Sequence, residues 1–324
     1  MKPAVTHDKP GITSQRWWRW LKRSAITAFF MLVAGLLVTQ ARAIEWRQVA
    51  TALSNYPLHA LLGAAALALL SLTLYSSFDL LGRHYTAHPL TVPTVMRVTF
   101  ISYVFNLNMG SLVGGVAMRY RLYARLGLDV GVITRVMTLS MLANWIGYLL
   151  LAGVIFGFHA PTLPANWAID SGDLQILGFV LLALALLYLL LCALARERNF
   201  TLRGHELSLP SLPLALLQLT MGAANWLLMG GILFMLLQQK ISFPTVVSVL
   251  LVAAVAAVIA RIPAGLGVLE AVFIALLSPQ LPQPEVLAAL LAYRLIYYLV
   301  PLALAAVLYL VAETSSKKTA PARR

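Results

Sequence analysis

Long apolar runs separated by short polar stretches set the pattern of this chain. Uninterrupted runs occur near 25–41, 58–81, 130–157, 174–195, 211–237 and 286–312. A helix of about 20 residues crosses a bilayer core of about 30 Å, so each run predicts a transmembrane helix. Two further apolar stretches are broken in the middle. One, Met96–Met118, is interrupted at Asn106, Asn108, Gly110, Ser111, Gly114 and Gly115; the other, Val246–Ser278, at Arg261, Pro263, Gly265 and Gly267. Irregular backbone at membrane depth needs cover from protein or from a water-filled cavity. Paired breaks in the two halves of a membrane protein point to a transport site.

Charge decides how the broken stretches run. If both cross the membrane, thirteen Lys/Arg fall inside and nine outside, leaving out Arg261 and Arg294. If both are re-entrant, residues 119–135 and 195–210 become cytoplasmic, and the count is nineteen against three: Arg42, Arg47 and Lys240. Short loops keep their positive charge inside. The expected fold is therefore an all-α polytopic membrane protein with six transmembrane helices plus two opposed re-entrant helical hairpins. Both termini are expected in the cytoplasm, and Asp170, Asp173 and Glu285 outside. Residues 1–24 read as a cytoplasmic basic and aromatic segment, 25–312 as one transmembrane domain, and 313–324 as a cytoplasmic basic tail. Ala41-Arg42-Ala43 resembles a signal-peptidase site, but the basic region before it is long, and the first helix is expected to be retained.

Composition removes several function classes. The chain is 60% hydrophobic and 11% charged, more apolar surface than a soluble domain hides. Its net charge of +13 sits in flanks beside apolar helices, where it sets topology and touches anionic lipid, so nucleic acid is not a partner. The single cysteine, Cys192, excludes an internal disulfide and a cysteine zinc site. No His-Glu-x-x-His, Gly-x-Ser-x-Gly or P-loop occurs, so catalytic residues, metal and cofactor are all expected to be none.

Ionisable groups at membrane depth are costly and mark candidate sites. Glu270 and Arg294 fall at matching depth and are expected to pair, either as a structural clamp or as a gate beside a cavity. Arg261 stands at the second break, where its planar fork suits a lipid phosphate or it snorkels to the inner face. Pro263, Gly265 and Gly267 make that break and free the N-terminus of the following half-helix for an anion, or merely turn the chain. Asn106, Asn108, Gly114 and Gly115 do the equivalent work in the first hairpin, or form a helix-packing face. Arg119, Arg121 and Arg125 read as a basic mouth or a topogenic cluster. Asp79 and Arg83, spaced i, i+4, read as an ordinary helical ion pair, and Asn144 and Asn225 as interhelical hydrogen-bonding residues.

The stretch from Asn106 to Gly115 with Met118-Arg119-Tyr120-Arg121, the element Pro263-Ala-Gly265-Leu-Gly267-Val-Leu-Glu270, and Ala292-Tyr293-Arg294 together resemble the YbhN-type inner-membrane proteins of the lysylphosphatidylglycerol synthase transmembrane-region family. The resemblance runs from about Arg16 to Ala312. It implies a flippase-like module without the soluble aminoacyl-transferase domain, hence not an enzyme. A phospholipid with an anionic or aminoacylated headgroup would be held by Arg119, Arg121, Arg261, Asn106, Asn108, Gly114, Gly115, Pro263, Gly265 and Gly267, with Glu270 and Arg294 as gating pair. The alternatives are a membrane scaffold or regulatory partner of a lipid-modifying enzyme, and an integral-membrane lipid enzyme. Partners are membrane phospholipids, with a second copy or a lipid enzyme left open.

Overall fold

The computed structural model describes residues 56–164, 167, 170–194, 199–202, 205–208, 210–260 and 265–318, with 47, 50, 51 and 54 ahead of them. These residues belong to one compact unit that starts at Trp46. The expected first helix, residues 25–41, and the possible cleavage site lie outside the described residues.

The first crossing is bent. Helix α1 (Leu58–Ser76) passes into α2 (Phe78–Thr86) through Ser77, whose hydroxyl donates to the Leu74 carbonyl. Helix α3 (Val92–Met109) begins with Pro93 in its first turn, where a missing N–H costs nothing, and stops at Gly110. A seven-residue π-helical segment, Ser111–Ala117, then turns back against α3 and continues as α4 (Met118–Arg125). The longest helix, α5 (Val130–His159), and α6 (Ser171–Leu194) pack side by side. Two short antiparallel strands follow, β1 (Asn199–Leu202) and β2 (His205–Ser208), with Leu202 opposite His205. They qualify the all-α expectation. Only two residues separate them, one of them Gly204, which is hairpin spacing and too short a connection for a helix.

Helix α7 (Leu212–Leu236) crosses α5 where Gly147 meets Gly222. A Cβ on Gly222 would lie 2.2 Å from the Ala143 carbonyl oxygen, so only glycine lets these backbones touch. Helices α8 (Phe243–Ala260) and α9 (Val268–Leu277) fold against each other around the second break. Helix α10 (Gln283–Tyr293) runs through a π-helical segment, Arg294–Leu299, into α11 (Val300–Lys318).

Six helical stretches among the described residues are long and apolar enough to cross a membrane: Leu58–Thr86, Val130–His159, Ser171–Leu194, Leu212–Leu236, Phe243–Ala260 and Gln283–Ala312. The set differs from the expected six. Residues 25–41 lie outside the description, and Phe243–Ala260, expected as a half-helix, is long enough by itself at 18 residues. Helix α9, at 10 residues and about 15 Å, reaches only half a bilayer. Large apolar side chains line the outside of α6, among them Ile176, Phe179, Val180, Leu184 and Leu191, as expected of a helix that faces lipid. Cys192 is buried in α6 as a small apolar residue.

Two ends of the bundle can be told apart. The Tyr56 hydroxyl donates to the Leu236 carbonyl, joining the start of α1 to the end of α7. Lys240 pairs with Glu285 at 2.5 Å at this same end. At the opposite end Arg121 stacks over the Tyr309 ring, 5.6 Å from its centre.

Candidate functional site

Both breaks converge on the π-helical segment Arg294–Leu299. From the first hairpin, the Asn108 amide donates to the Tyr298 carbonyl at 3.3 Å and to Val104 of its own helix at 2.9 Å. From the second, Gly265 offers its carbonyl to Arg294 Nη2 at 3.4 Å. A π turn widens the helix by one residue and is frequent at functional sites; here it presents a guanidinium to one hairpin and a carbonyl to the other.

Arg294 and Glu270 meet with fork geometry. Arg294 Nε donates to Glu270 Oε1 at 2.5 Å and Nη2 to Oε2 at 3.0 Å. The guanidinium also lies over the Tyr298 ring at 5.4 Å. Solvent reaches 13% of Arg294 and 21% of Glu270, so the pair is sheltered but not sealed. Arg294 lies one 11-residue helix, about 16 Å, from the start of α10 at Gln283. Gly267 adopts a left-handed φ of 80°, and its N–H donates to Glu270 Oε2 at 3.0 Å. The anion end expected at this half-helix is thus capped by its own carboxylate, and a phosphate would compete with Glu270 for it.

The first break closes more tightly. The Gly110 N–H donates to the Asn106 carbonyl at 2.9 Å. A Cβ on Gly114 would lie 2.2 Å from the Asn106 nitrogen, and one on Gly115 would lie 3.1 Å from Asn106 Oδ1. Gly114 and Gly115 therefore serve as the packing face of the hairpin rather than as free N–H donors.

Arg119 is not at a basic mouth. It is 2% exposed and points Nη2 at Asp79 Oδ1 (3.2 Å) and Ser140 Oγ (3.3 Å), with the Tyr75 hydroxyl beside it. Tyr123 donates to Asp79 Oδ2 at 2.9 Å. This corrects the expected Asp79–Arg83 pair: Arg83 Nε instead donates to the Leu90 carbonyl at 2.6 Å, which pins the connection between α2 and α3. Arg121 remains exposed against Tyr309. Arg261 and Pro263 lie outside the described residues.

Sequence reasoning missed the group that lies between the two charge pairs. Tyr75 stacks on Tyr103 with ring centres 3.4 Å apart. The Tyr103 hydroxyl meets that of Tyr297 at 2.9 Å, which meets Ser71 Oγ at 2.7 Å, and Ser71 donates to Asn225 Oδ1 at 2.8 Å. Tyr297 stacks on Tyr293, which packs edge-on to Tyr298. All but Tyr298 are fully or nearly fully buried. The signal was available as tyrosines on apolar helices, whose hydroxyls need partners when buried.

His88, just past α2, is 6% exposed, and neither ring nitrogen has a hydrogen-bond partner among the described residues. Burial, reinforced by the Arg83 charge, pushes its imidazole below the ordinary value, while Asp79 pulls the other way. An open groove of ≈ 970 Å³ lies beside the α1–α2 bend, lined by Ser77, His84, Ser211 and Leu214 among others, away from the junction of the two breaks. Among the described residues no group of three or more His, Cys, Asp or Glu could hold a metal.

The family of the lysylphosphatidylglycerol synthase transmembrane region matches residues 23–305. The chain is 46% identical over 302 residues to the inner membrane protein YbhN of Escherichia coli (strain K12), covering 93% of this chain and 95% of that one. It is 32% identical over 278 residues to a protein of Synechocystis sp. named only as uncharacterized, covering 84% and 85%. It is also 34% identical over 88 residues to a phosphatidylglycerol lysyltransferase of Staphylococcus haemolyticus, covering 26% of this chain and 10% of that one. The chain belongs to the lysylphosphatidylglycerol synthase transmembrane-region family.

Proposed function

We propose that this family member moves phospholipids with anionic or aminoacylated headgroups between the leaflets of the bacterial inner membrane. The observation that carries the reading is the junction itself: two broken helical hairpins meet one π-helical segment, and an Arg–Glu pair stands at the meeting point. Charges held inside an apolar bundle are expensive and are placed by default where polar cargo passes. Arg294 would offer its fork to the headgroup phosphate as it leaves Glu270, and Glu270 would return to it once the lipid has passed. Arg261, next to the second break in sequence, is the second cation this reading assigns to the headgroup. The hairpins enter from opposite ends, and their tips would separate and rejoin as access alternates.

The test is headgroup exchange of fluorescent phosphatidylglycerol in proteoliposomes, read by chemical quenching of the outer leaflet. Glu270→Gln and Arg294→Glu should abolish exchange while the purified protein keeps its monodisperse profile. Exchange at the wild-type rate in both variants would remove the pair from the mechanism.

A second reading, a scaffold for a lipid-modifying enzyme, is favoured by one observation: Tyr103, Tyr293 and Tyr297 fill the space between the charge pairs. No lipid movement by the wild-type protein, together with co-purification of such an enzyme, would select it.

A further inference from the structure

Asp79 and Arg119 lie outside the Arg294–Glu270 junction, yet of the ion pairs described they are the most deeply buried, at 0% and 2% exposure. Their hydrogen bonds are incomplete. Asp79 Oδ1 and Arg119 Nε have no hydrogen-bond partner among the described residues, although the two side chains approach to 3.2 Å. A buried pair is tolerated when its remaining lone pairs and protons are satisfied. This one leaves the Arg119 Nε–H unpaired and holds Asp79 Oδ1 by charge alone. The limb that carries Arg119, residues 111–125, is bounded by Gly110 and Gly127. Both have positive φ (86° and 85°) and no atom within 4 Å of a Cβ built on them, so each end of the limb is a glycine turn with open space around it.

We propose that Asp79 and Arg119 form a proton-linked phosphate site, in which a phosphate anion takes Arg119 while Asp79 takes a proton. The site is argued from its own geometry; its consequence for transport rests on the lipid-translocation reading.

Charge neutrality forces the exchange. The pair as it stands sums to zero. A phosphodiester monoanion that docks on the Arg119 fork displaces Asp79 and leaves one uncompensated negative charge in a buried space, which is prohibitive. An O–H bond formed at Asp79 Oδ1 restores neutrality: aspartic acid, guanidinium and phosphate again sum to zero. The proton comes from water and leaves to water when the phosphate departs, so one proton accompanies one anion. The groups facing Asp79 suit this exchange. Arg119 and Tyr123 come from α4, Tyr75 from α1 and Ser140 from α5. Arg83 in the last turn of α2 and His88 just beyond it carry charge toward Asp79 from its own element, and the His88 ring sits 6.4 Å from that of Tyr123, which bonds Asp79. His88 with its two unpartnered nitrogens is the entry for the proton.

Two measurements separate the site from its use. In nanodiscs of zwitterionic lipid, infrared difference spectra on adding phosphatidylglycerol should show a protonated-carboxyl band. That band should shift when the wild-type protein carries ¹³C-aspartate, vanish in Asp79→Asn and persist in Glu270→Gln. The labelled wild type needs no variant to fold. A missing band, or one that survives in Asp79→Asn, overturns the proposal. The same band with inorganic phosphate alone keeps the site and assigns it to the free ion. In proteoliposomes, a gradient of one pH unit should shift phosphatidylglycerol toward the alkaline leaflet about tenfold, the equilibrium equivalent of one coupled proton. A potassium-diffusion potential should not shift it, and Asp79→Asn should equilibrate lipid regardless of gradient. Wild-type exchange that ignores the pH gradient overturns the coupling. A band without any lipid movement overturns the translocation reading and leaves the site standing.

Discussion

Removing Arg119 strands Asp79 in a space that solvent does not reach. Arg119→Leu should cost about 3–5 kcal/mol, the usual penalty for an orphaned buried charge. Asp79→Leu combined with Arg119→Met should recover most of that loss, because the double change deletes both charges at once. Arg294→Leu should cost less, about 2 kcal/mol, since solvent reaches a fifth of Glu270. Thermal unfolding of the purified variants checks the order. At this scale the sequence was legible where depth alone decides. Glu270 and Arg294 count to matching depths from the ends expected for their helices; α10 starts earlier, at Gln283, and the structure still joins the two. Asp79 was misread because i, i+4 spacing offers Arg83 as partner, whereas the true partner lies 40 residues on, brought there by a fold-back that spacing cannot reveal. His88 adds a pH term. Its folded-state pKa lies below the unfolded value of about 6.5, so its contribution to stability is complete above that pH and is lost as pH falls through the folded value. Between about pH 7.5 and 5 the wild type should lose more melting temperature than His88→Gln does.

Among the elements, the first hairpin depends on one absent methyl group. A Cβ on Gly114 meets backbone of α3 at 2.2 Å, which no rotamer change can relieve, so Gly114→Ala should cost about 3 kcal/mol and open the hairpin. Gly131→Ala is the matched control. It lies in the first turn of α5 with nothing within 4 Å of its Cβ, and should be neutral or stabilise by about 0.4–1 kcal/mol. Unfolding midpoints of the two variants, with hydrogen exchange of 106–117, check the contrast. The first break was legible because Asn106, Asn108, Gly110, Gly114 and Gly115 cluster within ten residues, whereas Asn144, Gly147, Gly222 and Asn225 stand in unbroken helices. Its form was not. A π-helical segment differs from an α-helix by one residue per turn, and no composition marks it. The β1–β2 ribbon was missed for a related reason: its eight residues lie in a polar loop where apolar periodicity carries no signal. The Gly147–Gly222 crossing was equally invisible, since small residues are common in membrane helices whether or not they touch.

The whole molecule turns on which end of the bundle each segment reaches. Tyr56, Leu236, Lys240 and Glu285 gather at one end, while Arg121 and Tyr309 mark the other. If Met96–Met118 crossed fully, Arg121 would emerge at the same end as Tyr56. In the described residues, Asn108 near the end of α3 donates to the Tyr298 carbonyl, and α4 packs back against α3. After the second break, the Gly265 carbonyl accepts from Arg294, and α9 packs against α8 and α10. The count of positive charges expects hairpins here rather than eight full crossings. That expectation rests on exits: the positive-inside rule reads where the chain leaves the membrane, and hairpins change the exits without changing hydropathy. Labelling decides the placement in the membrane. Cys192 is the chain's single cysteine and is buried, so Cys192→Ala gives a clean background. Single cysteines at Arg121 and Arg125 should react only in inside-out vesicles, and those at Lys240 and Glu285 only in intact spheroplasts. Arg121 reached from the outer face would mean a full first crossing, and the two breaks would then no longer enter from opposite sides.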